Sequence, residues 1–200
     1  MENIKEETRT VLSFNDTDGG KATAGYGTKH IGDCVVRAIA IGTGEDYGSV
    51  FPVVANGRCS WFNQTGKRRQ RKAKHPYGMA KEIPLAKYEA LKEHPSVALR
   101  NGTRYWFRDY MNSLGWEYVS LCGRGKPVVS LCAEELGKNL PDDRTLICMV
   151  SAGRGGHYTT LVNGVVHDTW NPSEPRYTVW GETKCRVYGY WQEQTTKEKQ

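Results

Sequence analysis

One cysteine of this chain stands where a helix should begin. In GDCVVRAIAIGTG, Asp33 can cap a helix whose apolar positions Val35, Ala38, Ile39 and Ile41 form a broad buried face, with Gly42 or Gly44 ending it. Cys34 is then the first helical residue. Cysteine attacks carbonyl carbon as thiolate, and the unpaired N–H groups and positive dipole end of a first helical turn favour that anion. The ordinary role of a cysteine is that of a small buried hydrophobe, so the thiol needs a base before chemistry is argued. Cys132 can only begin a later, weaker helix, and Cys59, Cys122, Cys148 and Cys185 fall in loops or strands.

Five histidines could supply the base. His75 lies in a basic stretch, His94 in a charged segment, and His30 on the loop before Cys34, where it could touch substrate. His157 opens a hairpin. In HYTTLVNGVVHDTW the pair Asn163-Gly164 is a strong two-residue turn signal, so Val162 should face Val165 and Thr159 should face Asp168. His157 and Asp168 then share one face as diagonal neighbours roughly 7 Å apart at the backbone. His167 projects to the other face. An Asp or Asn beside the imidazole fixes its tautomer and steadies its positive charge, a role for which Asp168 is the first choice and Asn171 the second. The glycine-rich lead Ser151 to Gly156 can admit a substrate close to the base or serve as a plain turn.

A cysteine at a helix start followed by His and Asp on late strands resembles the papain-like superfamily of cysteine peptidases. The words GDCVVRAIAIGTGEDY, LGWEYV, HYTTLVNGVVHDTWNPSE and CRVYGYW, spanning roughly residues 31 to 191, are also similar to phage and bacterial proteins placed in that superfamily. DCVVRAIA further resembles the nucleophile segment of ovarian-tumour-type deubiquitinases. The resemblance implies a cysteine peptidase or isopeptidase-like thiol hydrolase of phage or bacterial origin. In that reading Cys34 is the nucleophile, His157 the base and Asp168 the orienting group, with a thioester intermediate, a protein or peptide substrate and no cofactor. Papain has a Gln six residues before its nucleophile to complete the oxyanion hole, and the matching position here is Thr28, whose hydroxyl reaches less far than an amide. Lys29 and Asn15 are further choices for that donor, and Asn171 is a further candidate near the substrate.

The elements that must position these residues suggest an α+β domain, with N-terminal helices packed on a C-terminal antiparallel β-sheet. Besides the helix at Cys34, helices are expected from Asp46 to about Val54, from about Thr103 to Leu114, and near Ala133 to Leu140. Strands are expected over Trp116 to Leu121, Thr145 to Val150, His157 to Val162, Val165 to Trp170 and Lys184 to Trp191. A single papain-like domain is expected to span 1–200, with 1–14 and 193–200 as flexible ends and 56–84 as an insertion or flap.

The net charge of +6 is local, because the six cations Lys67, Arg68, Arg69, Arg71, Lys72 and Lys74 account for all of it. Flanked by Trp61, Phe62 and Tyr77, that run could gather an acidic partner or nucleic acid, or be a solvated loop. No stretch approaches the roughly 18 apolar residues of a membrane span, and the first ten residues are charged, which together point to a cytoplasmic protein, in the host cytoplasm if phage-encoded. In that compartment the six cysteines stay reduced, and the lack of any C-x-x-C pair argues against zinc. Two other functions stay open: a non-catalytic nucleic-acid or host-factor binding protein on the same shell, and transglutaminase or amidase-type acyl transfer through the same three residues.

Overall fold

The computed structural model describes residues 11–27, 33–54, 106–152, 155–178, 181–183 and 185–195. Strand β1 is Phe14–Asp16 and helix α1 Cys34–Thr43; residues 47–54 form α2, and α3 is Trp106–Ser113. Strands β2 (Trp116–Ser120) and β3 (Val129–Ser130) follow, then β4 (Thr145–Ala152), β5 (Gly155–Val162), β6 (Val165–Asp168), β7 (Arg176–Thr178), β8 (Gly181–Thr183) and β9 (Arg186–Glu193). The fold is α+β: the main sheet runs β1-β6-β5-β4-β9-β2, with β3 also on β9, and β7 and β8 form a separate small hairpin.

The sheet is mixed rather than antiparallel throughout. Strand β1 runs parallel to β6, with Asn15 opposite His167, and Thr17 N–H donates to the Asp168 carbonyl at 2.8 Å. Residues 11–16 therefore belong to the fold and not to a loose end, and Leu12 is buried. Their one short apolar patch was too brief to read as a strand, because a three-residue strand acquires its partner only from the tertiary fold. The far end differs in the same way: β9 continues through Glu193, and Gln194 N–H donates to the Gly115 carbonyl at 2.8 Å. The helix expected near residues 133–140 is only a 3-10 turn, Ala133–Glu135, from which Glu135 O receives the Asn139 and Leu140 amides. Strands β3, β7 and β8 are too short for their alternation to show in the sequence.

Two apolar clusters sandwich the sheet. Ile147 and Trp191 are register partners and, with Trp116 and Tyr158, pack against Val36, Ile39, Tyr47, Phe51, Phe107 and Met111 of the helices. Their neighbours in alternation, Leu146, Cys148, Val150, Leu161, Val166 and Tyr190, fill the second cluster with Leu12, Leu131 and Leu140. Helix α1 lies against β5 and β4 so closely that Thr160 Oγ1 donates to the Ala38 carbonyl at 3.0 Å, and Gly42 has the Ile147 side chain where a Cβ would be. Gly44, not Gly42, closes the helix, with φ 74° and its N–H on the Ala40 carbonyl. Among the described residues no helix is long and apolar enough to cross a membrane.

Candidate active site

The hairpin of β5 and β6 has the register that its turn residues predict. Val162 pairs with Val165, Leu161 with Val166 and Thr160 with His167, about Asn163 at φ 50° and Gly164 at φ 77°. His157 and Asp168 fall on one face at the end of the sheet where β5 starts and β6 stops. Their side chains meet: His157 Nε2 is 2.6 Å from Asp168 Oδ2. His167 points the other way, where its Nδ1 is 3.2 Å from Asn15 Nδ2 on the solvent side. That contact places Asn15 away from the imidazole, so it is no oxyanion donor.

Helix α1 brings the third residue. Cys34 is its first residue, half-buried, and its thiol lies near enough to the His157 ring to influence its protonation. With Nε2 taken by Asp168, Nδ1 is the ring nitrogen left for the sulfur. Trp170 lies against the same imidazole, its ring centroid 4.9 Å away. It follows Asp168 by two residues, so strand alternation alone could have pointed to it.

Behind the trio lies a row of buried charges. The Asp168 Oδ1 atom accepts from Arg37 NH1 at 3.0 Å and from the Thr169 amide at 2.7 Å, and Arg37 NH1 also donates to Thr169 Oγ1 at 2.6 Å. Arg37 Nε is 3.3 Å from Asp33 Oδ1. That pair is close enough for attraction but misaligned for a hydrogen bond, so neither atom has a hydrogen-bond partner. Lys21 Nζ is 3.0 Å from Asp33 Oδ2, which also accepts from the Tyr47 hydroxyl at 2.8 Å. Asp33 does occupy the N-cap position of α1, its carbonyl accepting the Arg37 amide at 3.1 Å, but its carboxylate serves these three partners and makes no capping hydrogen bond. Lys21, Asp33, Arg37, Asp168 and His157 are all buried and alternate in sign. Isolated, each ion would be costly to bury; arranged in alternation, each has the opposite charge beside it.

The charge row sets the protonation of the site. Burial works against the His157 imidazolium, but its hydrogen bond to Asp168, the nearby Cys34 and the field of both outweigh it and carry the ring up to about 9. Burial likewise opposes ionisation of Asp168, yet the His157 bond and charge, Arg37 and the Thr169 amide hold its carboxyl below the usual range. Asp33 is lowered against its burial by Arg37, Lys21 and Tyr47, and Tyr47 is pushed far up by burial and by Asp33.

The remaining sequence candidates are not brought to this centre. Asn171 is committed elsewhere: its Nδ2 donates to the Leu12 carbonyl at 3.0 Å, and its Oδ1 accepts the Ser173 amide and hydroxyl at 3.0 and 2.7 Å. It fastens the chain after β6 to the chain before β1 instead of orienting His157 or contacting substrate. Thr28, Lys29, His30, His75 and His94 lie outside the described residues, as do Cys59 and the cations Lys67, Arg68, Arg69, Arg71, Lys72 and Lys74. Cys122 and Cys148 are free thiols, Cys132 and Cys185 are buried, and burial pushes the thiol of Cys148 up to about 12. Among the described residues no group of three His, Cys, Asp or Glu is arranged to hold a metal ion.

No family model matches the chain, and no curated protein or solved structure matches it either. The functional reading therefore rests on the geometry and on the sequence resemblance. Arg37, Lys21 and Trp170 were not singled out from the sequence. Arg37 and Lys21 give no local signal, because a buried cation is recognised only by the carboxylates folded around it.

Proposed function

We propose that the chain is a papain-like thiol hydrolase, a cysteine peptidase or isopeptidase in which Cys34 is the nucleophile, His157 the proton carrier and Asp168 the group that orients it. The observation that carries this reading is one imidazole bonded to the buried Asp168 carboxylate and close enough to the Cys34 thiol at the start of α1 for the two to influence each other. Two buried carboxylates against three buried cations leave the row one positive charge in excess, and a thiolate at Cys34 would bring it to zero.

The reaction follows from these positions. The Cys34 sulfur attacks a carbonyl carbon, and the oxygen takes the negative charge beside the backbone N–H of the first helical turn. The tetrahedral adduct collapses as its C–N bond breaks, and His157 gives the amine its proton, leaving a thioester. Water attacks that thioester, its proton passes to His157, and the C–S bond breaks to release the carboxylic acid and restore the starting pair. Asp168 holds the imidazole in one tautomer throughout. A protein or peptide chain is the substrate class this chemistry and the resemblance favour.

Alkylation rates test the reading. Cys34 and Cys122 are both partly exposed, so access alone would give them similar rates. At pH 7 iodoacetamide or a peptide vinyl sulfone should label Cys34 about tenfold faster or more, and His157→Ala should bring it to the Cys122 rate. Equal labelling of the two cysteines in the unaltered protein would remove the activated thiol, and with it the enzyme.

A further inference from the structure

We propose that Arg37 is a positioning residue of this site, clamping Asp168 so that its second oxygen faces His157 and tying the helix that carries Cys34 to the strand that carries Asp168. The inference rests on the reading of the three reacting residues given above. It goes beyond that reading in assigning a fourth residue, one that is buried and has no access to substrate.

The geometry has three parts. A carboxylate can rotate about its last bond, and it faces a partner steadily only when both oxygens are held. Oδ2 of Asp168 belongs to His157, while Oδ1 receives Arg37 NH1 and the Thr169 amide. The amide moves with Asp168 itself, so at Oδ1 Arg37 is the contact that references the carboxylate to another element, as His157 of β5 does at Oδ2. That element is α1, where Arg37 stands three residues after Cys34 and so on the same flank of the helix. A single guanidinium thereby constrains how the sulfur and the imidazole approach each other.

Arg37 is itself held at its other end. Its Nε lies beside Asp33, and Asp33 is fixed by Lys21 and by the Tyr47 hydroxyl. Its NH1 has a second acceptor in Thr169 Oγ1. A lysine could supply the charge but only one point of contact, whereas the planar fork reaches Asp33, Asp168 and Thr169 together. The charged groups around His157 are then Cys34 and Arg37 from α1 and Asp168 from β6, with Lys21 and Asp33 behind Arg37.

The test separates positioning from charge. In the full chain labelled at histidine, the His157 ring is followed by NMR across pH, with His157→Gln used to assign its signal. Arg37→Lys keeps the charge and loses the fork. Positioning predicts that the His157 midpoint falls by about one pH unit, because the Asp168 bond that supports the imidazolium is loosened. It also predicts that Cys34 alkylation at pH 7 slows about tenfold. Arg37→Met should lower the midpoint further, whereas removal of a nearby positive charge with no loss of position would raise it. A midpoint unchanged or raised in both variants, with circular dichroism showing them folded, overturns the proposal. Should Arg37→Met fail to fold, Arg37→Lys alone decides. Failure of the enzyme reading is seen separately, as slow Cys34 labelling in the unaltered protein, and the NMR midpoint still rules on Arg37 in that event.

Discussion

His157 and Asp168 stand eleven residues apart in the chain and 2.6 Å apart in space, joined across a hairpin whose two-residue turn leaves the register no freedom. Both are buried, so the ion pair is little screened by solvent. The protonation of the site is consequently tied to the alignment of two strands.

Asp168→Asn tests that dependence. The amide keeps the size of the carboxylate and loses its charge, so the imidazolium is less supported and the ring can turn to the wrong tautomer. Hydrolysis or Cys34 acylation should fall about 100-fold or more, with the His157 midpoint lowered, while the thermal unfolding profile stays cooperative. A pH–rate profile identical to that of the unaltered protein would leave Asp168 without a role at the site.

Stability should decline on the alkaline side. The His157 value is raised on folding from 6.5 to about 9, so its contribution is complete below pH 6.5 and is lost as pH rises through about 9. The amount is on the order of 3 kcal/mol, shared with Asp168 and Cys34. Urea midpoints between pH 6 and 10 should fall in the unaltered protein and be much flatter in His157→Gln.

The acid side has the opposite sign. Asp33 and Asp168 are both held below their usual value of 3.8, so their contributions are present above that pH and disappear as pH falls through their lowered values. Asp33→Asn should lower stability at neutral pH by about 3 kcal/mol, since it leaves Lys21 and Arg37 short of a counter-charge. It should also shallow the acid limb of the urea-midpoint curve. An acid limb as steep as before would place the titrating group elsewhere.

Packing of α1 on the sheet is open to a simple probe. A methyl group at Gly42 would sit 2.6 Å from Ile147 Cγ1 and 2.7 Å from Cδ1. In an exposed helix Gly→Ala stabilises by about 1 kcal/mol, but here the overlap should reverse the sign and cost about 1–3 kcal/mol. Combining Gly42→Ala with Ile147→Val should recover part of the loss in chemical denaturation. A Gly42→Ala protein more stable than the original would mean that α1 sits farther from β4.

The local pattern of the chain was enough to determine the start of α1 at Cys34, the β5–β6 hairpin, its register and the shared face of His157 and Asp168, because helix starts and two-residue turns are written in adjacent residues. The α+β class was legible for the same reason, from helical spacing first and alternation afterwards. What only the tertiary structure decided lies in contacts with no local trace. Strand β1 exists because β6 offers it an edge, and Asn171 is spent on Leu12 because that strand arrives beside it. Asp33 holds the cap position, but its carboxylate became the centre of an ion cluster, since Lys21, Arg37 and Tyr47 converge on it from three places in the chain. Periodicity reports how a residue faces its own element; which distant charge will neutralise a buried one depends on how elements pack, and that is set by the whole fold.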